Sequence, residues 1–167
     1  RQLSLANTKE QIPSFQEALA LVNGKVPLLV ELKMERLDFD IPRKADALLS
    51  EYSGDYCIES FHPAALCWYR KNRPQIFRGQ LSTNFNIENH SLSPFQYLFG
   101  KMILNFISRP DFISYNLLFQ GDISLKLAHG LFHAPCAAWV LRSEKELEQC
   151  QKQFCMYIFE NFLPEQK

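Results

Sequence analysis

The sequence predicts an α/β fold built on a parallel β-sheet. Short apolar runs rich in branched and aromatic residues alternate along the chain with amphipathic stretches that carry helix-capping signals. Strands that are separated by helical crossovers pair in parallel, and strands buried on both faces are almost continuously apolar. The 167 residues, 47% of them hydrophobic, can form one domain with a sizeable core.

Six apolar segments are predicted strands, over residues 26–33, 56–61, 76–82, 111–115, 134–141 and 156–159. Six strands fit either an open doubly wound sheet or most of an eight-stranded barrel. No strand is followed by a Gly-x-Gly-x-x-Gly turn, and the sequence has no Gly-x-x-x-x-Gly-Lys loop, which argues against dinucleotide-binding and P-loop proteins. In a barrel, functional side chains would lie at the carboxyl ends of the strands.

Capping signals mark the predicted helices. Ser14 and Glu17 have the spacing of a capping box, and Asn23-Gly24 follows the last turn of the helix that this box begins. Proline at the first helical position introduces two further helices. Besides the first helix, helices are predicted over residues 43–54, 64–72 and 95–108, and from a second capping box at residues 143–146.

The first predicted strand ends in two opposite charges. Because strand side chains alternate between faces, Glu31 and Lys33 should share one face while Val30 and Leu32 occupy the other. A carboxylate and an ammonium removed from water need a metal, a phosphate or each other as a partner. If the strand end is exposed, both charges are simply solvated, and the residues alone leave these two interpretations open.

Composition and charge exclude several kinds of protein. Eighteen basic and eighteen acidic residues give a formal net charge of zero, so we expect no broad surface for nucleic acid. The five cysteines include no Cys-x-x-Cys pair, which indicates reduced thiols and no zinc motif. No apolar run approaches the roughly 20 residues that cross a bilayer, and the first residues do not resemble a signal peptide. We expect a cytoplasmic protein without stable membrane insertion.

Six ordered segments resemble the glycerophosphodiester phosphodiesterase family. They are IPSFQEALALVNGKVPLLVELK, YCIESFHPAAL, RGQLS, RPDFISYN, AAWVLRS and YIFENF. Each lies where that family has a strand and the turn after it, and together they cover nearly the whole chain. The resemblance implies a (β/α)8 barrel of the TIM type, and an enzyme that hydrolyses small-molecule glycerophosphodiesters to glycerol phosphate and an alcohol.

The resemblance also implies a divalent cation, Ca²⁺ or Mg²⁺, at the strand ends. The family's Glu-x-Lys strand matches Glu31, which would bind the metal through hard carboxylate oxygens. It also matches Lys33, the implied catalytic residue, which would hold a phosphate oxygen and offset its developing charge. Glu59 shares a predicted strand face with Phe61, but solvation or a structural ion pair would explain it equally well.

Four residues are implied to bind the substrate. Phe61 and Trp139 match aromatic residues that line the pocket around the glycerol moiety in the family, and two polar positions have similar placement at strand ends. The implied substrate-binding residues are Phe61, Gln80, Tyr115 and Trp139. The family commonly shows Trp-Thr-Val where this chain has Trp139-Val140-Leu141.

The chain also departs from the family pattern. It has no His-Arg-Gly turn, Glu-x-Asp pair or His-Asp turn, which supply the acid/base histidines and further metal ligands of the family. We assign no catalytic role to the four histidines present, which are His62, His90, His129 and His133. We therefore expect residues 1–167 to form a single partial domain, strands three to eight of the barrel without about the first two, and to be inactive alone.

Two alternatives stay open at this point. A noncatalytic barrel remnant could bind a ligand or a partner through its open sheet edge, because unpaired strand edges attract association. A related barrel of the phospholipase type, acting on larger lipids, would have a more apolar rim than Gln80, Asn84 and Asn86 suggest.

Overall fold

A computed structural model describes residues 3–84, 105–130 and 133–165. The described residues form one six-stranded sheet in which the strands follow chain order and every neighbouring pair is parallel. The predicted α/β class and parallel sheet are confirmed. The strands are β1 (Leu28–Glu31), β2 (Tyr56–Ser60), β3 (Arg78–Ser82), β4 (Phe112–Asn116), β5 (Cys136–Leu141) and β6 (Met156–Phe159).

The strand β1 is shorter than the predicted segment 26–33. Pro27 has no N–H to donate to a ladder, so pairing with β2 begins where the Leu28 N–H donates to the Asp55 carbonyl at 3.0 Å. The register runs from Leu28 opposite Tyr56 to Glu31 opposite Glu59. One further bond, from the Leu32 N–H to the Glu59 carbonyl at 2.8 Å, continues this pairing beyond the strand.

Helices alternate with the strands along the chain, beginning with one before β1. The helical elements are α1 (Phe15–Val22), α2 (Asp40–Leu49), α3 (Pro63–Asn72), α4 (Asn105–Ser108), a 3₁₀ turn (Leu117–Phe119), α5 (Ile123–Gly130) and α6 (Glu144–Cys150). The 3₁₀ turn and α5 were not among the predicted helices. Most of the predicted helix 95–108 and most of the polar loop after β3 lie outside the described residues, as do His90 and Asn86.

The two predicted capping boxes have different outcomes. In α1 both bonds are present, from the Glu17 N–H to Ser14 Oγ at 3.2 Å and from the Ser14 N–H to Glu17 Oε2 at 2.6 Å. In α6 the Ser143 hydroxyl accepts from the Glu146 N–H, but the Glu146 carboxylate accepts from the Arg142 N–H. The second box is therefore only half formed, because Glu146 reaches one residue further back along the chain.

Two apolar clusters lie between the sheet and its helices. We call the sheet face toward these clusters the outer face and the opposite side the inner face. One cluster joins α1, α2 and α3 to β1 and β2, and the other joins α5 and α6 to β4 and β5. The fully buried members of these clusters include Leu49, Ile58, Leu66, Tyr115, Leu125, Ala138 and Leu141.

The sheet is strongly curved. Phe61 follows β2 and Trp139 lies in β5, three strand positions away, which would separate their backbones by about 14 Å in a flat sheet. Their rings nevertheless meet edge to face with centroids 5.7 Å apart. On the same inner face, Gly79 leaves space for the Phe112 ring, which would collide with any Cβ at that position. The curvature is consistent with part of a TIM-type barrel.

The ladder between β5 and β6 is interrupted near Trp139. The register pairs Ala138 with Tyr157 and resumes with Leu141 opposite Phe159. The Trp139–Val140 peptide bond within this interruption is cis.

Among the residues that the structure describes, no helix has the length and apolar character needed to cross a bilayer.

Candidate functional site

Glu31 and Lys33 meet at the end of β1. Lys33 Nζ lies 3.7 Å from Glu31 Oε2, while Leu32 between them is buried in the outer cluster with Val30 packed against it. The predicted sharing of one face is therefore confirmed. The Glu31 side chain is 34% exposed and that of Lys33 is 80% exposed. The ammonium is thus solvent-exposed, on a long flexible type of side chain that can reach a second anion at this strand end.

Glu59 is the buried acid of this face. It pairs in register with Glu31, only 5% of it is exposed, and Oε2 has no hydrogen-bond partner among the described residues. Burial raises the pKa of Glu59 to about 7; the nearby Ser114 hydroxyl opposes this shift, and the Glu31 carboxylate adds to it. Two carboxylates from neighbouring strands therefore face one space, one partly solvated and one buried.

Other buried polar atoms of the inner face also lack partners. Ser114 pairs with Leu81 on the neighbouring strand β3, and its buried Oγ lies near the Glu59 carboxylate without a hydrogen bond of regular geometry. Thr83 Oγ1 is also buried without a hydrogen bond to any residue within 3–84, 105–130 or 133–165. The same holds for Trp139 Nε1. Since buried polar groups are normally hydrogen-bonded, this set of atoms indicates a space for water or a polar ligand.

An aromatic pair lies at the same end of the sheet. Phe61 and Trp139 make a T-shaped contact, and Trp139 is opposite Asn116 in the register with β4. Both rings are only partly buried. The structure thus brings Phe61 and Trp139 to the face that carries Glu31 and Lys33, and gives that space an apolar wall.

Gln80 and Tyr115, in contrast, belong to the outer face. The Tyr115 ring is fully buried in the apolar cluster with α5, and its hydroxyl donates to Asp122 Oδ2 at 2.7 Å. Gln80 is opposite Ser60, and its amide donates to the carbonyl oxygens of Ser60 and Phe61 at 3.0 Å each. The structure does not bring these two side chains together with Glu31, and Gln80 instead holds the backbone that carries Phe61.

His62 follows Phe61 and caps α3. Its Nδ1 accepts from the Ala64 N–H at 3.2 Å, which leaves the proton of the neutral ring on Nε2. Burial lowers the pKa of His62 and favours this neutral form. The capping contact explains the presence of the residue without a catalytic role.

The carboxylates of the site are suitable ligands for a hard divalent cation, but the described residues provide too few of them to complete its coordination. Glu31 and Glu59 offer carboxylate oxygens from adjacent strands, and a cation would relieve the repulsion between them. The described residues contain no group of three or more His, Cys, Asp or Glu side chains arranged to hold a metal. Glu31 is therefore suited to be one ligand of an ion that takes its remaining ligands from elsewhere or from water.

Sequence reasoning left Glu59 undecided and missed Ser114 and Thr83. Alternation along β4 could have grouped Ser114 with Phe112, but alternation does not say which set faces the barrel interior. Tyr115 was implied only by its position in the family resemblance, and the structure places its ring in the outer cluster.

Comparisons with known proteins agree on the fold. No model of a known protein family matches the sequence, and a search of the curated proteins finds no match. Solved structures do match, among them the following three, which are described as a phosphodiesterase and as glycerophosphodiester phosphodiesterases. The chain spans about three fifths of their lengths.

The phosphodiesterase from Oleispira antarctica, solved with the product sn-glycerol-3-phosphate, is 18% identical with a TM-score of 0.69, over 90% of this chain and 58% of its own. The enzyme from Parabacteroides distasonis is 16% identical with a TM-score of 0.69, over 95% of this chain and 64% of its own. The Thermotoga maritima enzyme is 15% identical with a TM-score of 0.60, over 89% and 60% of the two chains. The comparisons support an α/β fold consistent with part of a TIM-type barrel: over the part that it spans, this chain has the fold of the glycerophosphodiester phosphodiesterases.

Proposed function

We propose that the whole protein hydrolyses glycerophosphodiesters, and that this chain supplies the phosphate-binding side of its active site. The observation that supports the proposal is the Glu31–Lys33 pair at 3.7 Å, on a strand end of a parallel sheet shared with glycerophosphodiester phosphodiesterases. Active sites of TIM-type barrels lie at this end of the sheet.

Lys33 has the role of holding a phosphoryl oxygen. Its ammonium is exposed and tethered only by a 3.7 Å ion pair with a partly solvated carboxylate, so it can turn toward a phosphodiester at modest cost. There it would offset the negative charge that grows on the phosphoryl oxygens in the transition state.

Glu31 has the role of a carboxylate ligand for Ca²⁺ or Mg²⁺. A bound divalent cation would polarise a phosphoryl oxygen as a Lewis acid. Withdrawal of Glu31 toward such an ion would also release Lys33 for the phosphate. The resemblance assigns the general acid and base to histidine motifs that this chain does not contain, so the 167 residues alone should not turn substrate over.

Phe61 and Trp139 would contact the glycerol side of the substrate. Their edge-to-face pair gives the inner face an apolar wall beside the charged strand end. The unpartnered Trp139 Nε1 is a donor available to a hydroxyl or phosphate oxygen of a ligand. Gln80 contributes indirectly, because its amide donates to the carbonyl oxygens of Ser60 and Phe61 and so fixes the backbone that carries the Phe61 ring.

Product binding tests this proposal without requiring turnover. We expect sn-glycerol 3-phosphate to quench or shift Trp139 fluorescence in the presence of Mg²⁺ or Ca²⁺, and Lys33→Met to weaken this binding about tenfold or more, the loss of one charge-assisted contact. The matched control is Lys71→Met, on the exposed end of α3. Equal binding by Lys33→Met and Lys71→Met would contradict the proposal.

A further inference from the structure

We propose that Glu59 is a second carboxylate ligand of the cation site, next to Glu31. The inference rests on the proposed role of Glu31 and extends it to a residue that the family resemblance does not assign. Its first support is the register: Glu31 and Glu59 are direct partners on adjacent parallel strands, so their side chains leave the sheet on the same face and at the same height.

The burial of Glu59 is the second support. Only 5% of the residue is exposed. None of the ion pairs among the described residues includes Glu59, and the nearest lysine along the strand end, Lys33, pairs with Glu31 instead. A buried carboxylate without a cationic partner is expensive, and a metal ion is one of the few partners that compensate for this cost.

The Ser114 hydroxyl beside Glu59 provides a further observation. Ser114 is 0% exposed, and its hydroxyl lies near enough to the Glu59 carboxylate to oppose the rise of that pKa, yet it makes no hydrogen bond of regular geometry in the described part of the chain. Gly79, opposite Glu59 on β3, has no side chain, and the Phe112 ring of β4 occupies the space above it. Glu59 therefore has Glu31 beside it in the register and the Ser114 hydroxyl near its carboxylate, and both residues carry hard oxygen donors of the kind that Ca²⁺ and Mg²⁺ bind directly or through water.

Terbium luminescence of the full chain tests the assignment. Tb³⁺ is a hard, oxygen-seeking probe whose emission is sensitised by a nearby indole, and Trp139 lies on the inner face while Trp68 lies in α3 on the outer side. We expect Tb³⁺ emission that Ca²⁺ or Mg²⁺ displaces, that Trp139→Phe removes, and that Trp68→Phe retains.

The decisive comparison is among three carboxylate variants. We expect Glu59→Gln and Glu31→Gln each to weaken Tb³⁺ binding about tenfold or more, as loss of a charged ligand does, while exposed Glu51→Gln binds like the unmodified chain. Circular dichroism and thermal melting of each variant confirm that it is folded. Unchanged Tb³⁺ affinity in folded Glu59→Gln would overturn the inference, and so would binding that Glu31→Gln leaves unaffected.

The two proposals fail in distinguishable ways. If Tb³⁺ binds in a Glu59-dependent manner but sn-glycerol 3-phosphate does not bind, the cation ligand stands and the proposed substrate does not. If glycerol phosphate binds through Lys33 while Glu59→Gln leaves the cation affinity unchanged, the function stands and the ligand assignment is wrong.

Discussion

The two ends of the sheet differ in whether a buried charged side chain has a partner of opposite charge. At the amino end, Arg78 begins β3 and its guanidinium contacts Asp111 at 3.1 Å and the carbonyl oxygens of Pro74 and Ile76 at 3.1 and 2.9 Å. The Asp111 carboxylate also accepts from the Arg78 N–H at 2.9 Å. At the carboxyl end, Glu59 is equally buried, yet one of its oxygens has no partner among the described residues.

This difference separates a structural ion pair from a binding site. At the amino end the charges of Arg78 and Asp111 pair with each other, although Arg78 Nε has no hydrogen-bond partner among the described residues. Pairing of this kind is how a buried ion pair avoids a large desolvation cost. At the carboxyl end the Glu59 carboxylate has no cationic partner among the described residues and its Oε2 has no hydrogen bond, which favours an occupant from outside the described residues. The same division of roles between the two ends is general in TIM-type barrels.

The largest expected effect is at the amino end. Asp111→Ala leaves the Arg78 guanidinium buried without its counterion, and we expect a loss of roughly 3 kcal/mol in the free energy of unfolding. Urea denaturation measures the loss. The control is Asp40→Ala, which removes an exposed pair with Arg43 and should cost less than about 1 kcal/mol. Equal losses in the two variants would remove the contrast between buried and exposed pairs.

The next prediction concerns Glu59 at the carboxyl end, where we expect a substitution to raise the free energy of unfolding instead of lowering it. The pKa of Glu59 is about 7 in the folded chain against an ordinary value of 4.5, so the unfolded state ionises first and stability falls as pH rises between these values. The full penalty, roughly 3 kcal/mol from this shift, is present only well above pH 7, where the folded chain is also ionised at Glu59.

Glu59→Gln removes that penalty. With a chelator present, we expect the variant to exceed the unmodified chain in the free energy of unfolding by more at pH 8 than at pH 5. Urea titrations at both pH values provide the comparison. Parallel stabilities of the two chains across this range would mean that Glu59 has no raised pKa.

The smallest effect concerns the unpartnered hydroxyls. Ser114→Ala removes a buried hydroxyl that lies near the Glu59 carboxylate but makes no hydrogen bond of regular geometry in the described residues, so we expect a change within about 1 kcal/mol. Ser60→Ala is the control, because the Ser60 hydroxyl donates to the Leu32 carbonyl at 2.6 Å and accepts from the His62 N–H at 3.1 Å. A larger loss for Ser114→Ala than for Ser60→Ala in thermal melts would show that Ser114 is already compensated.

Local patterns in the sequence were sufficient for the elements and for one pair. Apolar runs identified the six strands, the capping box of Ser14 identified the start of α1, and alternation placed Glu31 and Lys33 on one face. These features depend on neighbouring residues only, and steric alternation along a strand does not require knowledge of its partners. The predictions of two preceding strands, of a cation and of a cytoplasmic location stay predictions.

The tertiary structure decided which residues share the site. Alternation alone could not assign Tyr115 and Gln80 to the outer face or Glu59 and Ser114 to the inner face, because the identity of each face follows from the pairing register and from the helices that cover one side. Curvature then joins positions that are distant along the sheet, as in the contact of Phe61 with Trp139. Register and curvature are properties of the assembled strands, so no single segment of the sequence contains them.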